Sequence, residues 1–322
     1  MAVKWGILST ADINRKLLAG AAESDEVEVV AVASRELARA EEFAASWGIA
    51  RAYGSYDELL ADGEVEAVYI PLPNRMHSEW SIRALEAGKH VLCEKPFSRH
   101  VAEVEQAFDA AEAAGLHLTE AFMYRHHPQT ARLAELVAEG AIGELRVIRS
   151  TFSYALYDTD NIRLRPDVEG GALMDVGCYC VSGARALGGE PTSLAGAAHV
   201  GASGTDWVFA GLMRFPGDVV ALFDCGTSLP NRDELEAVGT EGSLFLDDPW
   251  HCGTPVIELR RGDAVERIEV AAANPYRLEL EDVNAAIRGE RPPLLGRADA
   301  LGQVRAIDAL FRSAAENRVV LL

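Results

Sequence analysis

Val3-Lys4-Trp5-Gly6-Ile7-Leu8-Ser9-Thr10-Ala11 decides how the first part of this chain is read. An apolar run of strand type gives way there to small and hydroxyl-bearing residues. Ile13, Leu17, Leu18 and Ala21 then recur on one stripe, the spacing of a helix from Ala11 to Ala22. The alternation continues with strand Glu28–Ala33, helix Glu36–Trp47, a short strand near Ala52 and a small helix Ser55–Leu60. Strand Ala67–Pro73 is cut off by its prolines, and Asn74 is expected to cap the helix that follows. Strand His90–Cys93, helix Val101–Ala114 and strand Leu116–Ala121 complete the series. Strands alternating with helices predict an α/β domain over residues 1–121, built on a doubly wound parallel sheet.

From residue 122 the pattern changes. Helix Gln129–Glu139 leads to a long strand Glu144–Tyr154, a polar segment 158–171 and a helix Ala172–Leu187. Hairpins follow, marked by turns such as Phe215-Pro216-Gly217-Asp218 and Arg261-Gly262-Asp263. Helices Pro275–Ile287 and Arg297–Ala315 close the chain. Residues 122–322 are therefore expected to form an α+β domain with a large open, mainly antiparallel sheet. Such a sheet has a face left to bury, so a homodimer or homotetramer formed through it is expected.

Bulk composition narrows the function. The chain has 322 residues and a formal net charge of −20, with no basic block, which argues against nucleic acid as a partner. No C-x-x-C spacing relates its five cysteines, so no zinc site is expected. No run of membrane-span length and no leader pattern is visible, and the expected location is cytoplasmic.

Gly6 and Ala11 match the first and last positions of a dinucleotide fingerprint G-x-G-x-x-G/A, with Leu8 in place of the middle glycine. In this reading the helix N-terminus attracts a pyrophosphate, and Ser9 and Thr10 add hydroxyl donors. A small-residue turn after any strand would look the same. After the second strand stand Ser34 and Arg35 where NAD-preferring folds carry an acid, which favours NADP over NAD, with Arg39 one turn along. Glu36 remains available to a ribose. Pro71, Leu72 and Asn74 occupy the carboxyl end of a central strand, where a cofactor passes. His77 follows, as either a structural hydrogen-bonder or a cofactor neighbour.

Chemistry is concentrated in two places. Val91-Leu92-Cys93-Glu94-Lys95-Pro96 ends a strand in an acid, a base and a proline; only Lys4, Lys16, Lys89 and Lys95 among 30 basic residues are lysines. A compact ammonium at such a position serves a ligand or is simply a surface charge. In the second place, Asp175 and Tyr179 are four apart on one expected helix face. A phenol near an ammonium becomes a better proton acceptor, as hydride transfer at a carbinol requires. An ordinary half-buried tyrosine fits the same spacing.

The Gly6–Ala11 turn, Glu94-Lys95-Pro96, Pro73-Asn74-x-x-His77 and Gly170-Gly171-x-x-x-Asp175-x-Gly177-x-Tyr179 occur in order and spacing. Together they resemble the Gfo/Idh/MocA oxidoreductases over essentially the whole chain. The resemblance implies an N-terminal Rossmann domain and a C-terminal domain that oligomerises through its sheet. It implies that Lys95 contacts nicotinamide and the substrate hydroxyl, with the Lys95–Pro96 bond cis. It also implies that Asp175 holds a sugar hydroxyl and that Tyr179 exchanges the proton. Tyrosine rather than histidine at position 179 is similar to the branch with NADP-dependent D-xylose 1-dehydrogenase, dimeric dihydrodiol dehydrogenase and sugar 3-ketoreductases. Asn161 and Arg163 lie where that branch places substrate residues. The expected function is NADP-dependent oxidation of an uncharged sugar or cyclic diol, in the favoured version an aldose at C1. Reduction of a 3-keto sugar is the alternative. A cofactor-binding regulator without turnover is a third, which the joint presence of Lys95, Asp175 and Tyr179 disfavours.

Overall fold

The computed structural model describes residues 2–158 and 160–322. The chain divides into two compact units, one of Met1–His126 with Asn274–Leu301, the other of His127–Ala273 with Gly302–Leu322.

In the first unit the elements are β1 (Val3–Leu8), α1 (Asn14–Ala21), β2 (Val27–Ala33), α2 (Leu37–Trp47), β3 (Arg51–Tyr53), α3 (Tyr56–Leu60), β4 (Ala67–Ile70), α4 (His77–Glu86), β5 (His90–Glu94), α5 (Val101–Ala114) and β6 (Leu118–Ala121). The six strands are all parallel, in the order β3-β2-β1-β4-β5-β6. This is the expected doubly wound sheet. Its order reverses between β1 and β4, so a crevice opens at their carboxyl ends, where ligands of such sheets bind. Burial on both faces explains the nearly unbroken apolar strands: Ile7, Leu8, Val32, Val68, Ile70 and Leu92 are fully buried.

The segment 274–301 rejoins this unit, whereas the sequence placed everything after residue 121 in the second domain. Tertiary hydrogen bonds account for its return. The Trp5 indole N–H donates to Asn284 Oδ1 at 3.1 Å, and Asn284 Nδ2 donates to the Glu26 carbonyl at 2.7 Å.

The second unit contains α6 (Pro128–Ala138), β7 (Leu145–Ala155), α7 (Cys178–Gly188), β8 (Ser193–Val200), β9 (Asp206–Arg214), β10 (Val220–Gly226), β11 (Ser228–Gly239), β12 (Ser243–Leu246), β13 (Val256–Arg261) and β14 (Ala264–Glu269). Helix α8 (Pro275–Ile287) belongs to the first unit; α9 (Arg297–Glu316) and β15 (Val320–Leu321) end the chain. Nine strands form one sheet, β14-β13-β12-β11-β7-β10-β9-β8-β15, antiparallel except for the β7–β10 pair. Alternation along its strands separates two faces. Ile148, Phe223, Cys225, Leu235 and Phe209 are buried on one, whereas Arg149, Leu222 and Glu234 point to the other. Among the described residues no helix is long and apolar enough to cross a membrane.

Candidate active-site residues

The structure moves the phosphate-type turn three residues along. Gly6 and Leu8 lie inside β1, and Leu8 is fully buried. A Cβ on Gly6 would stand 2.7 Å from Leu59 Cδ2 and 3.1 Å from Val65 Cγ1. Gly6 is thus required for packing against α3 and does not face a ligand, which corrects its assignment to a cofactor. Leu8 is an ordinary core residue and not a missing glycine. The turn itself is Ser9–Ile13, and α1 begins at Asn14, not at Ala11. Ser9 has φ +144°, a value L residues rarely adopt. Its hydroxyl donates to the Pro71 carbonyl at 3.3 Å and accepts the Ala11 N–H at 3.2 Å. Buried Asn14 donates to the Ser9 carbonyl at 2.8 Å and leaves its own Oδ1 without a partner. Ser9, Thr10 and Ala11 therefore form a clamped, half-exposed turn at the switch point of the sheet, with Pro71 bound to it.

At the end of β2, Ser34 is buried and its hydroxyl accepts the Glu36 N–H at 3.5 Å. Arg35 and Arg39 are exposed, and neither forms an ion pair among the described residues. Most of this acidic chain's arginines are paired, so two unpaired guanidiniums one turn apart mark an anion-attracting spot.

Leu72 and Pro96 are buried at the ends of β4 and β5. His77 joins them: its Nε2 lies 2.7 Å from the Leu72 carbonyl and its Nδ1 lies 3.0 Å from the Pro96 carbonyl. The imidazole is fully buried, and burial lowers its pKa. With both nitrogens against carbonyls it takes the structural one of its two expected roles and braces the strand ends. Asn74 starts a 3-10 turn over Asn74–Met76, and Met76 precedes α4, so Asn74 is not that helix's cap as expected. Lys95 follows directly, half-buried, with a cis bond to Pro96. Its amide donates to Glu94 Oε2 at 3.2 Å, and Glu94 Oε1 accepts the Tyr69 hydroxyl at 2.5 Å.

In the second unit the expected single helix 172–187 is two segments. Leu173–Gly177 form a π-helical turn, and α7 starts at Cys178. Such wide turns concentrate at functional sites. Asp175 lies in the π turn and Tyr179 in the first turn of α7. Gly171, at φ +130°, introduces the turn; Asp206 Oδ2 caps it by accepting the Leu173 N–H at 2.7 Å. Asp175 is held from two sides. Its Oδ2 accepts the Tyr154 hydroxyl at 2.5 Å, and its Oδ1 accepts Arg163 Nε at 3.1 Å. Asn161 Oδ1 accepts the Arg163 backbone N–H at 3.1 Å, so Asn161, Arg163 and Asp175 form one connected group. Burial first, and then the Asp175 charge, push the Tyr154 phenol well above its ordinary range, so it remains a donor.

Tyr179 is buried and stands in an aromatic wall. Its ring centroid lies 5.3 Å from Phe152, edge-on, and 5.9 Å from Trp250. Phe152 also stacks on Trp250 at 6.4 Å and meets His251 edge-on at 5.4 Å. Sequence reading missed Phe152, Tyr154, Trp250 and His251. The alternation of Phe152 and Tyr154 along β7 was the available signal; nothing local marks Trp250 or His251. A carboxylate pinned by a phenol and a guanidinium, beside an aromatic wall, can bind hydroxyls and the apolar face of a ring.

Both parts of the chain are similar to known proteins. Residues 3–122 match the model of an oxidoreductase family with an NAD-binding Rossmann fold, and residues 130–245 match the GFO/IDH/MocA C-terminal domain. An uncharacterized oxidoreductase of Rhizobium meliloti, ORF334, is 40% identical over 97% of each chain. D-xylose 1-dehydrogenase (NADP(+)) 2 of Haloferax volcanii is 38% identical over 99% of each chain. The 3-ketoreductase KijD10 of Actinomadura kijaniata, solved with NADP and TDP-benzene, superposes with a TM-score of 0.92 at 31% identity, over 97% of this chain and 98% of that one.

Proposed function

The chain belongs to the Gfo/Idh/MocA oxidoreductase family, and on that premise we propose that it is an NADP-dependent aldose 1-dehydrogenase acting on an uncharged xylose- or glucose-like sugar. The observation that carries the reading is the group around Asp175. A carboxylate oriented by Tyr154 and Arg163 is an acceptor of the kind that holds a sugar hydroxyl, and the half-buried Phe152 ring, backed by the fully buried Trp250, suits the C–H face of a pyranose.

Ser9, Thr10 and Ala11 would hold a pyrophosphate, with Pro71, Leu72 and Asn74 beside it and Pro96 with Glu94 behind Lys95. Ser34, Arg35 and Arg39 would hold a ribose 2′-phosphate; the two unpaired guanidiniums support NADP over NAD. When bound, NADP supplies the hydride acceptor. Tyr179 takes the proton of the reacting hydroxyl. Lys95, at the end of β5, is assigned to the nicotinamide and a substrate hydroxyl, as the family resemblance implies. Asp175, with Asn161 and Arg163, orients a second hydroxyl. The chain's sheet, with its exposed face, makes a homodimer or homotetramer.

Reduction of a 3-keto sugar is the second reading, favoured by the full-length likeness to the ketoreductase KijD10. Purified protein, incubated with NADP and a panel of aldoses and diols, and with NADPH and keto sugars, separates the two by nicotinamide absorbance. Reduction of NADP by an aldose supports the first. Turnover in the keto-sugar arm alone replaces it with the second, and silence throughout would count against both. Arg35→Ala should weaken NADP binding by about tenfold or more and NAD binding little, the loss of one charge-assisted phosphate contact. Equal losses for both cofactors would remove the 2′-phosphate assignment.

A further inference from the structure

Resting on the sugar reading above, the geometry points to His251 as a specificity-determining residue that hydrogen-bonds a substrate hydroxyl away from the reacting carbon, with Asp233 as its positioning residue. His251 Nδ1 lies 2.5 Å from Asp233 Oδ2. The other Asp233 oxygen accepts the Trp250 backbone N–H at 3.3 Å, so one carboxylate fixes both residues of the Trp250-His251 pair. With Nδ1–H committed to Asp233, the neutral tautomer carries its lone pair on Nε2. Among the described residues Nε2 has no hydrogen-bond partner, and the His251 side chain is 49% exposed.

This imidazole borders the wall that surrounds Tyr179, because the Phe152 ring touches both, at 5.4 Å and 5.3 Å. An unpartnered ring nitrogen at the rim of the half-buried Phe152 ring is suited to a hydroxyl, which can both donate and accept, of a sugar whose ring lies on that surface. Asp233, Asp248 and His251 also place ligand atoms within 4.8 Å of one another, as a cation site would. Asp248 is already committed, however. Its Oδ1 accepts the His251 backbone N–H at 3.2 Å, and its Oδ2 accepts the Gly253 and Thr254 backbone N–H groups at 2.6 and 3.1 Å. It clasps the loop and, with Oδ1 3.6 Å from Nδ1, faces the same ring nitrogen as Asp233, so Nε2 is the nitrogen left to the substrate.

The test is a cycle of enzyme variants against single-deoxy analogues of the best aldose. His251→Ala should raise KM about tenfold with a much smaller fall in kcat, the size of one hydrogen bond. The penalty should vanish for one deoxy analogue, and His251→Gln, which restores an acceptor, should recover part of the loss. Asp233→Ala should show the same KM pattern through the freed imidazole. A fall of equal size for every deoxy analogue, or an unchanged KM, would overturn the assignment, as would a loss reproduced in the wild type by EDTA, which would mark a metal site. Melting temperature and NADP affinity of each variant separate misfolding from lost recognition. A wild type active only on keto sugars or on none would remove the parent reading, a result distinct from an active wild type with no hydroxyl dependence at His251.

Discussion

Two tyrosines in the second unit stand in different surroundings, and different parts are proposed for them. Tyr154 donates to Asp175 at 2.5 Å and is driven away from ionisation by burial and by that carboxylate. Its proposed part is to hold Asp175 as a donor and not to exchange protons. Tyr154→Phe should lower kcat/KM about tenfold, because Asp175 would lose a donor to a charged acceptor while Arg163 still holds it. Steady-state kinetics over the sugar panel checks this. Tyr179, in its aromatic wall, is the group assigned to the proton. Tyr179→Phe should cut kcat about a hundredfold or more while NADP affinity, measured by titration, stays the same. Lys95→Ala should cut turnover comparably. Near-normal turnover in Tyr179→Phe would end that assignment. Glu94, Lys95, Asp175 and Tyr179 could be singled out as candidates from residue type and spacing, whereas Tyr154 could not, because its partner Asp175 lies on a different element.

Elements carry the next level of constraint, most clearly where the π turn begins. Gly171 combines φ +130° with a crowded site: an added Cβ would stand 2.1 Å from Asp206 Oδ1. That carboxylate caps the turn, so Gly171→Ala would strain the backbone and displace the cap together. A loss of about 2–4 kcal/mol is expected from the sum of the two effects. Gly189→Ala is the control, because Gly189 has φ +81° with nothing within 4 Å of its Cβ position, leaving strain alone. Denaturant unfolding of both variants should rank Gly171→Ala as the worse; an equal loss would show that the cap contributes little. The double glycine at 170–171 was visible as a motif. The π geometry that follows it was not, because apolar periodicity looks the same through one widened turn.

At the scale of the molecule, the nine-stranded sheet leaves one face polar and banded. Arg232 pairs with Asp224, Arg149 lies 4.0 Å from Glu236, and Arg260 lies over the Phe245 ring at 4.0 Å. Leu222 stands 42% exposed on that face. If the face is the interface between copies, sedimentation should give a multiple of 34.7 kDa, and Leu222→Asp should shift the protein toward a single chain. A wild type that sediments as one chain would remove the homo-oligomer reading. The sequence by itself determined the parallel first sheet, the mainly antiparallel second one and the positions of Lys95, Asp175 and Tyr179, because strand–helix alternation and unusual polar residues at element ends are local signals. Tertiary structure alone decided three further points. The phosphate-type turn starts at Ser9 because pairing of β1 with β2 carries the strand to Leu8, opposite Ala33. Residues 274–301 return to the first unit through bonds such as Trp5 to Asn284. His251, in the turn between β12 and β13, reaches the wall around Tyr179 because Asp233 on β11 holds it there. Each depends on partners distant in sequence, and Gly6-Ile7-Leu8, matched by sequence to a dinucleotide fingerprint, proves to belong wholly to the strand that precedes the turn.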